Sequence, residues 1–305
     1  MSAIHRPLPH SFQNALEVAR EILSSNHELI KRQVIETEAE QIVQGAYLAT
    51  QDKKLSRTEL FTKMSHRLEE RIAEKVLLFS FKRAQGDLLQ HILGYQTFLE
   101  HDYLVNASVL VPRPETESLV VAARDWIHHH DAQLGFEIGL GSGAISIELV
   151  ASFSRLKMVA SELTVEAIEV AEKNAKLILQ EKRSRLKILR SSRSEDVAEP
   201  FQNEGRAEFL ISNPPYLANA SEAEEDVVKF EPASALFAPQ ADAFFFYRQI
   251  AQRGPEILKF GGAVFLEMPH ERASEIQNLF SKDIWKTRIE NDLSRRPRIL
   301  IADLK

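Results

Sequence analysis

The sequence predicts an α/β protein: a small helical bundle followed by a mostly parallel β-sheet with helices on both faces. Three observations predict it. Apolar residues recur at helical spacing through about the first ninety positions. From Thr116 onward, short apolar runs alternate with helical stretches, the pattern of strands joined by crossover helices. A glycine-rich loop, Gly139-Leu140-Gly141-Ser142-Gly143, lies between one of those strands and the helix after it.

In the bundle, Ala15, Leu16, Ala19, Ile22 and Leu23 share one helix face. Ile42, Val43, Ala46 and Tyr47 repeat the spacing, as do Leu68, Ile72, Val76 and Phe79. The bundle is expected to end near Gly86, with a domain boundary at residue 90. Residues 93–99 and 103–105 are aromatic and β-branched with polar breaks, which predicts a hairpin within a linker over 91–111. Val109-Leu110-Val111 reads as a further short strand, stopped by Pro112 and Pro114. Over 112–305, helices are expected at 117–129, 144–153, 165–180 and 247–260. Strands are expected at 136–138, 158–160, 186–189, 209–212, 263–266 and 299–302.

Composition limits the function. The 305 residues are 44% hydrophobic and 27% charged, an ordinary soluble balance with material for one large domain or two smaller ones. A formal net charge of -6 does not favour a polyanionic partner, so direct nucleic-acid binding is not expected. The chain contains no cysteine, which removes disulfides, thiolate zinc sites and cysteine nucleophiles together. No apolar run approaches the ~20 residues of a membrane span. The first ten residues carry prolines and no apolar core, unlike a signal peptide. The expectation is a cytoplasmic enzyme, a monomer without a bound metal.

The most specific stretch is Asn213-Pro214-Pro215-Tyr216, directly after the apolar run Phe209-Leu210-Ile211-Ser212. Asn213 offers a side-chain carbonyl, and Pro214 offers a backbone carbonyl without an N–H to compete. Each residue before a proline is pushed to an extended conformation, so Asn213 and Pro214 are both stiff. Two rigid acceptors at a strand end suit a planar –NH2 group, which has two hydrogens to donate. Tyr216 adds a ring to pack on that group. The alternative is a proline-rich turn without a ligand.

The glycine loop lets backbone approach a ligand closely. Gly139, Gly141 and Ala144 fit the dinucleotide pattern, and Glu162 follows about twenty residues later, at the end of the next strand, to bind a ribose hydroxyl. Taken alone, this permits NAD; S-adenosylmethionine needs the same acidic partner. The Asn-Pro-Pro-Tyr motif favours the second, because a dehydrogenase has no use for an amide clamp after that strand.

With Pro112-Arg113-Pro114-Glu115-Thr116-Glu117 ahead of them, these motifs resemble the HemK/PrmC family, which methylates a glutamine side-chain amide in class-I peptide chain release factors. The resemblance covers most of the chain. Residues 87–94 are similar to the family's interdomain linker, Phe230-Glu231-Pro232 falls at the family's spacing, and residues 292–298 resemble its C-terminal element. It implies a Rossmann-like class I S-adenosylmethionine-dependent methyltransferase domain, with the helical domain recognising the release factor. Glu137, Gly139, Leu140, Gly141, Ser142, Gly143, Glu162, Arg193 and Asn213 would then bind the cofactor. Asn213, Pro214, Pro215 and Tyr216 would hold the target amide, and Arg113, Glu117, Phe230 and Glu231 would meet the protein substrate.

The sequence departs from the family pattern in places. Glu137 replaces the usual Asp. Arg190-Ser191-Ser192-Arg193 lacks the carboxylate and ring expected near the adenine, leaving Arg193 to stack on the base. Glu267-Met268-Pro269-His270 replaces a Glu-x-Gly pattern, and Ala241-Asp242-Ala243-Phe244 lacks a glycine. Two other readings follow: an amino methyltransferase acting on adenine in nucleic acid, or a non-catalytic protein that keeps the fold. Elsewhere, His128-His129-His130-Asp131 reads as a solvated helix end rather than a metal site. Phe244-Phe245-Phe246-Tyr247 reads as a helix start packed into the core rather than a base-stacking platform. The acidic run Glu222, Glu224, Glu225 and Asp226 is either a solvated loop or a wall of the substrate cleft.

Overall fold

The computed structural model describes residues 6–192, 196–223 and 225–305. The chain divides into two units, Met1–Gly94 and Tyr95–Lys305.

The first unit is helical: α1 (Phe12–Leu23), α2 (His27–Lys31), α3 (Ile35–Gln51), α4 (Arg57–Thr62), α5 (Glu70–Ala84) and α6 (Leu89–Leu93). Starts are written locally. The Ser11 hydroxyl accepts the Asn14 N–H ahead of α1, and Ser56 and Glu59 form a reciprocal capping box at α4. Leu16, Ile42, Val43, Val76 and Phe79 meet in one core. Beside it, buried Arg83 of α5 donates to both oxygens of Glu38 on α3, at 2.7 and 2.9 Å. That bidentate pair fixes two helices, and removing one partner alone costs about 3–5 kcal/mol.

The second unit opens with a hairpin, β1 (Tyr95–Phe98) and β2 (His101–Leu104). It continues with α7 (Pro114–His130), β3 (Leu134–Ile138), α8 (Ala144–Ser152), β4 (Lys157–Glu162), α9 (Val165–Leu179), β5 (Leu186–Arg190) and β6 (Ala207–Ser212). Then come α10 (Glu225–Phe230), α11 (Ala233–Leu236), α12 (Phe245–Ile257), β7 (Leu258–Glu267), α13 (Ala273–Asn278), β8 (Trp285–Asn291) and β9 (Pro297–Leu304). The sheet runs β5-β4-β3-β6-β7-β9-β8. β3 to β7 are parallel, β9 is antiparallel to β7, and β8 is antiparallel to β9. One hydrophobic core lies on each face, one around Phe209, Phe265 and Trp126, the other around Phe136, Phe201 and Trp285. Strand order reverses at β3, whose neighbours are β4 and β6. In open α/β sheets such a switch point leaves a crevice at the carboxyl ends.

Four expectations differ from the structure. The hairpin is part of the second unit rather than a linker. Tyr103 is fully buried, and its hydroxyl donates to Glu148 of α8 at 3.0 Å. Asn174 of α9 grips both backbone groups of Leu104, at 2.8 and 3.0 Å. Residues 109–111 form no strand: Val109 and Val111 pack with Val105, Ala167 and Val170, and the Val111 N–H goes to the Glu231 carboxylate instead of a ladder. β8 is absent from the expected strands, because its charged outward residues Lys286, Arg288 and Glu290 interrupt the apolar signal of an edge strand. The helix expected to reach residue 260 stops at Ile257, where Leu258 turns extended and pairs with Ala207.

Candidate functional site

The sheet register sets the site. Ile138 at the end of β3 pairs with Ser212 of β6 and with Ser161 of β4. The next residues, Gly139, Asn213 and Glu162, therefore leave three neighbouring strand ends, which lie ~5 Å apart from strand to strand. Glycine loop, amide motif and acidic residue converge although the chain separates them widely. All three line one cavity of about 350 Å³.

The loop is pinned from beneath. The Gly139 and Leu140 N–H groups both donate to the Ser161 carbonyl at 3.0 Å, and Asn174 donates to the Ser142 carbonyl at 2.8 Å. Gly139 and Gly141 have φ of +76° and +55°, and a Cβ at either would meet no heavy atom within 4 Å, so their open side faces the cavity. Gly143 differs: a Cβ there would lie 2.8 Å from Ile147 Cδ1, so this glycine serves the packing of α8 and does not line the cavity.

Two carboxylates border the loop. Glu162 accepts the Gly141 N–H at 2.9 Å on one oxygen and the Leu163 and Thr164 N–H groups, at 2.7 and 3.1 Å, on the other. These bonds aim a half-buried carboxylate into the cavity with lone pairs to spare. Glu137 is buried at 1% exposure. Its Oε2 accepts the Ser146 N–H at 3.0 Å and the Ser146 hydroxyl, whereas Oε1 has no hydrogen-bond partner among the described residues. Burial pushes its pKa up to about 8, against the two Ser146 bonds.

Asn213 is half-buried and lines the cavity with Pro214 and Pro215. Its Nδ2 donates to the Thr116 hydroxyl at 3.2 Å, and Thr116 in turn donates to Glu267 Oε2 at 2.6 Å. Neither Asn213 Oδ1 nor the Pro214 carbonyl accepts a hydrogen bond from a described residue. Tyr216 lies behind this wall, packed against the Phe136 core; burial raises its hydroxyl pKa to about 12. Thr116 and Glu267 lie in the Pro112–Glu117 and Glu267–His270 stretches noted above, but the sequence alone gives neither side chain a role.

The expected substrate residues are distributed differently. Arg113 lines the cavity and is ion-paired to Glu231. Glu231 itself is 5% exposed, its oxygens taken by Arg113 and by the Val111 N–H, so it holds Arg113 rather than facing a ligand. Glu117 stands outside the cavity wall and accepts the Leu99 N–H of the hairpin at 3.0 Å. Phe230 is also outside the wall, half-buried, with the Lys229 ammonium 4.6 Å above its ring. Arg193 lies outside the described residues, as does Glu224 of the acidic run. Phe245, Phe246 and Tyr247 pack into the core, and Phe246 also borders the cavity. His129 and His130 bond the carbonyls of Asp125 and Trp126, and His130 stacks on Trp126. No described helix is long and apolar enough to cross a membrane.

Comparison with known proteins places the chain among methyltransferases. Residues 125–236 match the family described as "Methyltransferase small domain". A release factor glutamine methyltransferase of Bacillus cereus is 30% identical over 265 residues, covering 83% of this chain and 89% of the relative. The Aquifex aeolicus protein of the same description is 28% identical, covering 93% of this chain and 98% of its own. Among solved structures, the hMettl16 catalytic domain in complex with MAT2A 3'UTR hairpin 1 aligns with a TM-score of 0.51 at 15% identity, over 86% of this chain and 91% of that one. That likeness shows the Rossmann-like methyltransferase fold.

Proposed function

We propose, from the premise that the chain belongs to the release factor glutamine methyltransferase family, that it methylates the side-chain amide of the glutamine in the Gly-Gly-Gln motif of class-I peptide chain release factors. S-adenosylmethionine is the cofactor, and its sulfonium supplies an electrophilic methyl group. The observation that carries the reading is a pair of acceptors, Asn213 Oδ1 and the Pro214 carbonyl, that no described residue engages, one strand away from the glycine loop.

The residues present fit the cofactor. Gly139, Leu140, Gly141 and Ser142 offer an open backbone cradle, with Gly143 setting its shape. Glu162, oriented by three backbone N–H groups, suits ribose hydroxyls. Glu137 Oε1, without a hydrogen-bond partner among the described residues, suits a positively charged amino group, which would also relieve its burial.

The amide clamp does the chemical positioning. An amide nitrogen is a poor nucleophile because its lone pair is delocalised. Asn213 Oδ1 and the Pro214 carbonyl accept its two hydrogens, return density to nitrogen and fix its direction. Pro215 keeps the turn rigid and Tyr216 backs it. Catalysis is therefore positioning and electrostatics, without a strong base before attack. Arg113, held by Glu231, is the docking cation at the cavity mouth, with Glu117 and Phe230 shaping the surrounding elements. The helical unit is the grip on the protein substrate, and the enzyme works in the cytoplasm beside the translation machinery.

The test is methyl transfer to a purified release factor. The wild type transfers one methyl, and Asn213→Ala abolishes transfer while cofactor affinity stays within about threefold. Transfer retained by Asn213→Ala, or transfer to adenine in an oligonucleotide instead, contradicts the assignment.

A further inference from the structure

Thr116 and Glu267 form a directional chain behind the amide clamp. Thr116 is 5% exposed and Glu267 is 3% exposed, so water does not compete for their bonds. The Thr116 hydroxyl has one proton and gives it to Glu267 Oε2 at 2.6 Å. Toward Asn213 the same oxygen is then an acceptor only. Asn213 must answer with Nδ2, at 3.2 Å, which leaves Oδ1 as the atom presented elsewhere. Donor–acceptor bookkeeping thus settles which way the Asn213 amide is turned.

We propose that Thr116 and Glu267 are positioning residues for methyl transfer: the Glu267 carboxylate fixes the Thr116 hydroxyl, and the hydroxyl locks Asn213 with Oδ1 toward the substrate amide. This rests on the reading of Asn213 as an acceptor for that amide. Protonating Glu267 on Oε2, the oxygen that faces Thr116, reverses the chain. The acid donates to Thr116, the Thr116 proton turns toward Asn213, and the amide is satisfied only by flipping. Nδ2, a donor, then opposes the N–H groups of the substrate.

The surroundings make the reversal accessible near neutrality. Burial pushes Glu267 up to about 7, opposed by the Thr116 bond and by Arg298 from β9. Glu115 in α7 raises it and Arg113, just ahead of that helix, lowers it. Tyr216 after β6 and Tyr247 of α12 also face it, and the Tyr247 hydroxyl donates to the Glu267 backbone carbonyl at 2.9 Å. A group raised in this way is charged only above about 7, so the locked orientation is present at higher pH and lost as pH falls.

The experiment measures kcat, KM for the release factor and cofactor affinity from about pH 5.5 to 8.5, on the full chain. Wild-type kcat falls toward a tenfold loss per pH unit on the acid side. Thr116→Val lowers kcat roughly 10- to 100-fold with KM and cofactor affinity within about threefold. Thr116→Ser restores the rate, and Glu267→Gln, which does not titrate, loses the acid limb. A role in folding alone would lower the melting temperature and both affinities together, without a pH signature. Thr116→Val with kcat within about twofold of wild type overturns the proposal, as does an acid limb retained in Glu267→Gln. Should Thr116→Val fail to fold, the Glu267→Gln profile decides by the same criterion. Asn213→Ala separates the two levels of argument. If it stays active, the assigned reaction falls; if it is inactive while Thr116→Val is fully active, only the positioning chain falls.

Discussion

Replacing Glu137 by Gln tests whether a carboxyl buried beneath the glycine loop governs stability. The residue is 1% exposed, and one of its oxygens has no partner among the described residues. Burial lifts its pKa from 4.5 to about 8, in spite of two bonds from Ser146 and with Glu162 adding to the rise. In the unfolded chain the carboxyl titrates near its ordinary value. Between the two values the folded state keeps a proton that the unfolded chain has lost, so stability falls as pH rises. The contribution is fully present below about 4.5 and gone above about 8. At 1.36 kcal/mol per pH unit the ceiling is about 5 kcal/mol, and relaxation of the site trims it to about 2–4 kcal/mol. The amide of Glu137→Gln does not titrate. Urea unfolding followed by tryptophan fluorescence is the assay, because both tryptophans, Trp126 and Trp285, are buried in the second unit and report on it alone. The wild type should lose about 2–4 kcal/mol relative to the variant between about pH 5 and 9. Parallel curves for the two proteins would show that the Glu137 carboxyl does not govern this pH dependence.

Other perturbations separate cradle from scaffold. Asn174→Ala removes the grip on Leu104 and on the Ser142 carbonyl, at zero exposure, and should cost about 2–4 kcal/mol in the same urea assay. Gly143→Ala should cost about 1–3 kcal/mol, from a positive φ of +85° and the 2.8 Å approach to Ile147. Gly139→Ala meets open space, so its stability loss should stay near about 1 kcal/mol while cofactor affinity, read by calorimetry, falls at least about tenfold.

The legible parts of the fold and site are those written in contiguous residues. The glycine loop and Asn213-Pro214-Pro215-Tyr216 announce themselves because turn geometry and acceptor chemistry depend on neighbours in sequence. The alternating runs give the parallel sheet for the same reason, since each buried strand is apolar by itself. What stays hidden depends on register. Thr116 meets Asn213 across 97 residues and Glu267 across 151, and nothing near Thr116 in sequence names either partner. The family resemblance implies a substrate contact for Glu231, whose motif follows the clamp at the family's spacing; only the fold brings it under Val111 and Arg113. Residues 109–111 mislead because a buried apolar run satisfies one N–H with a carboxylate rather than a strand.

In the proposed reaction, the acceptors at Asn213 and Pro214 direct a methyl group onto a glutamine side-chain amide. The most direct measurement is tandem mass spectrometry of the Gly-Gly-Gln peptide from a release factor incubated with this protein and S-adenosylmethionine. One added methyl is expected, on the glutamine side-chain nitrogen, absent with Asn213→Ala. An unmodified peptide from folded, cofactor-binding protein, or a methyl on any other atom, would contradict it.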